Sequence, residues 1–266
     1  MSYSRSILDD LIWQVEAGAD EALEEVAGFQ HWKASPLKEA SKAAKPPPSL
    51  VEFAPLRAPP VPTPPAALLR PVEAASLPDL RAALESFDGC ELKKTAMNLV
   101  FAEGDPLAEI MVIGDVPAEE EDRQGQPFVG AKGQLLDRML ASIGVDRSQV
   151  YLTNLVFWRP PGNRTPSEAE LAACLPFTVQ HIRLKAPKLI LLFGHLTAKT
   201  LLRTKEPFSK IRGRWTEYFP AGADPSLSSV PCLCTYHPTY LMRQPASKRQ
   251  AWADLLLFKE KINKII

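Results

Sequence analysis

Apolar residues follow two different rhythms along this chain. From Ser76 onward, short runs rich in apolar and β-branched residues, AEIMVIG (108–114), QVYLTN (149–154), KLILLFG (188–194) and VPCLCTY (230–236), are each bounded by polar or turn residues. Such runs predict short strands, several of them buried on both faces. Between them lie stretches whose apolar residues recur every three or four positions: SLPDLRAALESF, KGQLLDRMLASIG, SEAELAACLPFTVQHIRLKA, HLTAKTLLR and, last, SKRQAWADLLLFKEKINKI. That spacing predicts helices with one buried face, the third opening on a Ser cap. RGRWTEYFP predicts a hairpin arm. Strands alternating with helices give an α/β fold of three layers, α/β/α, around a central parallel four-stranded sheet.

The region before Ser76 reads differently. Residues 1–33 contain SILDDLIWQV, which sets Ile7, Leu8, Leu11, Ile12 and Val15 on one helical face behind a Ser6 cap. Residues 34–75 are rich in Pro and Ala, as in KPPPSL and APPVPTPPAALLRP, a composition that makes an extended linker and not a core. The expected organisation is a helical segment (1–33), a linker (34–75) and a globular domain (76–266). The N-terminal helix is expected either to dock on a protein partner or to pack on its own domain.

Composition narrows the class without naming it. The 266 residues are 45% hydrophobic, enough for one sizeable core, and 31 Lys+Arg balance 31 Asp+Glu. Net charge therefore points to no nucleic-acid partner, although a local basic patch remains compatible with it. No apolar run approaches the ~20 residues that span a bilayer. The start lacks a basic-then-apolar leader pattern, and the four cysteines, Cys90, Cys174, Cys232 and Cys234, lack a secreted spacing. A reduced, cytoplasmic monomer with no membrane contact is the expectation.

Ligands of open parallel sheets bind beyond the carboxyl ends of the strands. Three loops there have unusual composition: GDVPAEEEDRQGQPFVG (114–130), NLVFWRPPGNRTP (154–166) and HPTYLMR (237–243). Together with KGQLLDRML, FGHLTAKTLL and TYHPTYLMR they resemble the uracil-DNA glycosylase superfamily, most closely its family 4. The resemblance runs from about Cys90 to Trp252.

The resemblance implies a DNA repair enzyme that hydrolyses the N-glycosidic bond of uracil and leaves an abasic site, with uracil-containing DNA as substrate. Such an enzyme takes the base out of the stack and recognises it by hydrogen bonds and stacking. Phe128 would be the stacking ring. Asn154 would read the base, accepting from N3–H and donating to O4, the reverse of what cytosine presents. His237, restricted by Pro238, would donate to the base as charge develops on O2. Asp115 stands where the family usually has Glu, about 1 Å shorter in reach. Asp115 and Glu121 are expected to position water or stabilise the sugar cation jointly, with Glu119, Glu120 and Asp122 as solvated neighbours. Ala118 replaces a family Gly at the pocket edge. Lys132, Arg159, Arg164 and Arg243 are candidate phosphate contacts, and Leu241 and Met242 candidate wedges into the gap left by the base.

Family 4 enzymes carry a [4Fe–4S] cluster on four cysteines. Here Cys90 and Cys174 stand at two of the ligand positions, while Lys93 and Trp158 occupy the other two. No cluster and no other cofactor is expected, with Trp158 filling the space. Cys232 and Cys234 alternate on one strand and read as core. The chain passes from NLVFW straight to RPPGNRTP, without the His-bearing insertion of the branch that crosslinks to DNA. Two other readings stay open: a catalytically weak DNA-binding homologue, and a glycosylase for another deaminated base such as xanthine or hypoxanthine.

Overall fold

The structure, a computed structural model, describes residues 74–219 and 229–265. The segment 1–33 and nearly all of the proposed linker lie outside the described residues. Among the described residues, the chain order is α1 (Leu77–Ser86), β1 (Ala102–Gly104), β2 (Ile110–Gly114), α2 (Glu119–Gln124), α3 (Gly130–Ser142) and β3 (Val150–Asn154). There follow α4 (Glu168–Lys185), β4 (Leu189–Phe193), α5 (His195–Leu202), α6 (Phe208–Ile211), β5 (Trp215–Tyr218), β6 (Val230–Thr235), α7 (Pro238–Arg243) and α8 (Lys248–Ile265). No described helix is long and apolar enough to cross a membrane.

The four strands read from the sequence are present and mutually parallel, in the order β3-β2-β4-β6. The sheet nonetheless has six strands and is mixed. β1 adds antiparallel to β3 at one edge and β5 antiparallel to β6 at the other. The hairpin arm expected at RGRWTEYFP is thus edge strand β5. β1 has three residues, too few to show a period, and is tied in where Thr153 donates its hydroxyl to the Phe101 carbonyl at 2.7 Å.

β2, β3 and β4 are buried along their whole length, so each feeds two cores. Met111, Ile113, Ile190, Leu192, Cys232 and Cys234 face one apolar layer together with residues of α1, α4 and α5. Ile110, Val112, Leu189, Leu191 and Leu233 face the other, with α3, Leu241 and α8. This is the three-layer arrangement that unbroken apolar strands require, because both faces must leave water. Local signals agree with it. Ser167 and Glu170 form a reciprocal capping box at the start of α4, and Pro238 sits in the first turn of α7, where its missing N–H costs nothing.

From β2 the chain passes first to β3 on one side and then to β4 on the other. The strand order therefore reverses between β2 and β4, and a ligand crevice is expected beyond their carboxyl ends.

Candidate active site

Asp115 follows β2, Asn154 ends β3, Gly194 and His195 follow β4, and His237 follows β6. They converge because four parallel strands end at one edge. Gly114 measures the convergence: a Cβ there would lie 2.4 Å from Asn154 Oδ1 and 2.7 Å from Phe128 Cζ. Asn154 and Phe128 thus meet over a backbone position that has no room for a side chain.

Asn154 is fully buried, and neither its Oδ1 nor its Nδ2 has a hydrogen-bond partner. His237 Nε2 is also buried and unpartnered. Orphaned buried polar atoms of this kind are uncommon and each costs about 1–3 kcal/mol. Three of them, on two residues that share Phe128 as a neighbour, describe a site built for a polar ligand. The Phe128 ring closes one side, its centroid 5.9 Å from the His237 ring with the planes 24° apart.

His237 also caps α7: its Nδ1 accepts the Thr239 N–H at 3.2 Å. An Nδ1 that accepts carries no proton, so the proton of the neutral ring sits on Nε2, the atom facing the pocket. Burial, aided by the positive charge of Lys132, pushes the His237 pKa down to about 3. The imidazole is therefore a neutral donor at neutral pH.

Asp115 is held at the point where the strand order reverses. Its Oδ1 accepts the Thr197 N–H at 2.8 Å and lies 2.7 Å from the Thr197 hydroxyl. Gly194, at φ 104°, leaves the room: a Cβ there would come within 2.2 Å of Asp115 Oδ2. Burial raises the Asp115 pKa above the usual carboxylate range, opposed by the Thr197 bonds and by the charges of His195 and Lys132. Thr197 and His195 were missed from sequence; the signal was FGHLT, a glycine turn with Thr in the first turn of the following helix.

Glu121 does something else. Its carboxylate is fully buried and accepts from the Ala118 N–H (2.6 Å), the Phe128 N–H and the Lys132 ammonium. Three donors from the chain converge on it, so it braces the loop. Lys132 is correspondingly a buried partner of Glu121 and not an outward phosphate contact. The acidic run is helix α2, and Asp122, expected in solvent, is buried and accepts from the Met97 and Asn98 N–H groups.

Other sequence expectations need correction. Leu241 is fully buried in the α3–α8 core, because in a six-residue helix it falls on the inward side. The exposed apolar residues of α7 are Met242 and Tyr240, 50% and 44% accessible. Arg243 is exposed beside them. Arg159 bonds to Asn163 and Glu119, and Arg164 makes a two-pronged pair with Glu170. Both arginines already pair with a carboxylate.

The positions that would serve a cluster do not fit one. Cys90 and Cys174 face each other, sulfur to sulfur, at 4.0 Å. Lys93 turns to the Glu85 carbonyl and Asp88, and Trp158 is buried in the same core as the two thiols. Among the described residues no three His, Cys, Asp or Glu side chains are grouped to hold a metal. Two thiols and an indole do not make the thiolate set such a cluster requires.

A model of the Uracil DNA glycosylase superfamily matches residues 101–256. The chain belongs to that superfamily. Among its relatives are proteins called type-4 uracil-DNA glycosylase. That of Pyrobaculum aerophilum is 38% identical over 186 residues, covering 68% of this chain and 92% of the relative. That of Sulfurisphaera tokodaii is 37% identical over 190 residues, 70% of this chain and 84% of the relative. That of Archaeoglobus fulgidus is 33% identical over 183 residues, 67% and 89% respectively. In superfamily terms the matched span contains Asp115, Phe128, Asn154 and His237, and it begins after Cys90.

Proposed function

We propose that the protein is a monofunctional uracil-DNA glycosylase of base excision repair, hydrolysing the N-glycosidic bond of uracil in DNA to leave an abasic site. The supporting observation is the trio of orphaned buried atoms, Asn154 Oδ1, Asn154 Nδ2 and His237 Nε2, beside the Phe128 ring. Uracil offers one donor, N3–H, flanked by the acceptors O4 and O2. Asn154 Oδ1 accepts from N3–H and Nδ2 donates to O4. His237 Nε2–H donates to O2. Cytosine, with an acceptor at N3 and an amino group at C4, would leave these groups mispaired, at a cost of about 1–3 kcal/mol for each buried group.

Catalysis follows from where charge appears. As the bond lengthens, the base gains negative charge at O2 and the sugar becomes cationic. A neutral donor already aimed at O2 stabilises the first, and needs no reorganisation to do so. The Asp115 carboxylate stabilises the second. With Oδ1 taken by Thr197, Oδ2 is left to orient the attacking water. Lys132, the lysine that reaches the Phe128 loop, is engaged by Glu121, which favours simple hydrolysis over lyase chemistry. Tyr240 and Met242 are the residues to fill the space of the extruded nucleotide, with Arg243 against phosphate. DNA is the partner this chemistry requires; the protein acts as a monomer and without an iron–sulfur cluster. A protein partner would be sought by residues 1–33.

The test is cleavage of labelled oligonucleotides carrying one uracil, single-stranded or opposite A or G, followed by alkali. Parallel arms carry hypoxanthine, xanthine and cytosine. Uracil excision lost in Asn154→Ala and His237→Ala supports the reading. Binding without cleavage would instead point to a DNA-binding homologue, and faster excision of a purine arm to a different base.

A further inference from the structure

The buried Lys132–Glu121 pair is unexplained by base reading or water placement. It is also expensive. Removing two charges from water costs several kcal/mol per ion, and an apolar pair of similar size is often no less stable. A pair kept in such a place needs another use, and its surroundings supply one.

Glu121 accepts the N–H of Phe128, a residue at φ 54°. A bulky side chain in the left-handed region is strained and persists only where its surroundings impose it. Three constraints impose it here. Glu121 holds the N–H. Gly133 permits close approach from the other side: a Cβ there would lie 1.9 Å from the Phe128 carbonyl oxygen. Lys132, between that glycine and the turn, locks the Glu121 carboxylate. Glu121 links the ammonium to the Phe128 N–H, and Phe128 lies beside His237. The ammonium's charge is felt at both His237 and Asp115.

We infer that Lys132 is a positioning residue that serves the reaction from behind the pocket: through Glu121 it fixes the strained turn carrying Phe128, and its charge backs the side where the departing base becomes an anion. This deepens the uracil-excision reading and rests on it. The charge stabilises the leaving base most when that base leaves reluctantly. 5-Fluorouracil, whose fluorine stabilises the anion by itself, needs the charge less than uracil does.

The experiment compares single-turnover excision of uracil and 5-fluorouracil from single-stranded oligonucleotides by the full-length wild type, Lys132→Arg, Lys132→Met and Lys132→Met/Glu121→Gln. The double variant buries no unpaired charge, so it carries the test even if Lys132→Met folds poorly. The expectation for Lys132→Met and the double variant is a drop of about 10²-fold on uracil, comparable with loss of one preorganised electrostatic donor. On 5-fluorouracil the drop is to be about tenfold or less. Half-saturating enzyme concentration should not move, and Lys132→Arg should recover most of the rate. Equal losses on the two bases, or a double variant at the wild-type rate, would overturn the inference. Wild-type protein that excises neither base would overturn the functional reading itself.

Discussion

Replacing His237 with Ala separates catalysis from stability in a way the geometry makes quantitative. The change removes the N-cap of α7, a loss of about 1 kcal/mol. It also removes a buried, unpartnered Nε2, which had cost about 1–3 kcal/mol. The two nearly cancel, so the melting temperature should move by only a few degrees. Catalysis has no such compensation. Losing a preorganised donor aimed at a developing anion raises the barrier by about 2.7–4 kcal/mol, a rate loss of about 10²–10³-fold. The pH profile identifies the donor's charge state. With a pKa of about 3, only about 1% of the His237 rings carry a second proton at pH 5. The wild-type single-turnover rate on uracil should therefore show no rise as pH falls from 8 to 5. A rate that climbs through pH 6.5 in the wild type, and not in His237→Ala, would mean an imidazolium does the work. A His237→Ala enzyme within tenfold of wild type would refute the donor role altogether.

Four further outcomes follow. Asn154→Ala should lose at least about 10²-fold in uracil excision while melting no lower than wild type, since two orphaned buried atoms go with the side chain; paired kinetics and calorimetry check both halves. Gly194→Ala should cost about 1–3 kcal/mol by strain at φ 104° and cut the rate by displacing Asp115, whereas Thr197→Val should slow excision with a smaller stability loss; denaturant melts beside single-turnover rates read the split. His237 and His181 are both pushed down by burial to about 3 from an ordinary value near 6.5. Their neutral burial is without cost above pH 6.5, and stability should decline as pH falls below 6.5 towards 3, because the unfolded state takes up protons first; urea melts at pH 7.5, 6 and 5 should show decreasing midpoints, less steeply in His181→Gln. Protein purified without oxygen should contain no stoichiometric iron or sulfide by colorimetric assay.

The four parallel strands were legible because burial on both faces leaves nearly continuous apolar runs. Once they are placed, a parallel sheet brings Asp115, Asn154 and His237 to one edge. The edge strands were harder. β1 has three residues, and β5, as WTEY, carries no strong period of its own; each exists because an antiparallel neighbour accepts it. Lys132 and Leu241 were misread for opposite reasons. A lysine in the first turn of helix α3 looks solvated until Glu121, eleven residues earlier, folds back on it. A leucine between Tyr240 and Met242 looks like part of an exposed wedge until the six-residue helix turns it inward. Thr197 escaped notice because a threonine in the first turn of a helix is ordinary unless a carboxylate from another strand arrives beside it.

The left-handed turn at Phe128 also governs which neighbouring sequences remain open to the protein over generations of change. Phe128 and Gly130 need positive φ, and Gly133 has a carbonyl where any side chain would begin. Ala131, exposed between them, meets no such demand. A library of all single substitutions, selected for uracil removal, should show three nearly empty columns at 128, 130 and 133 and a crowded one at 131. Variation in this pocket must then enter through residues outside the turn, and a new base preference would more readily begin there than at the ring itself.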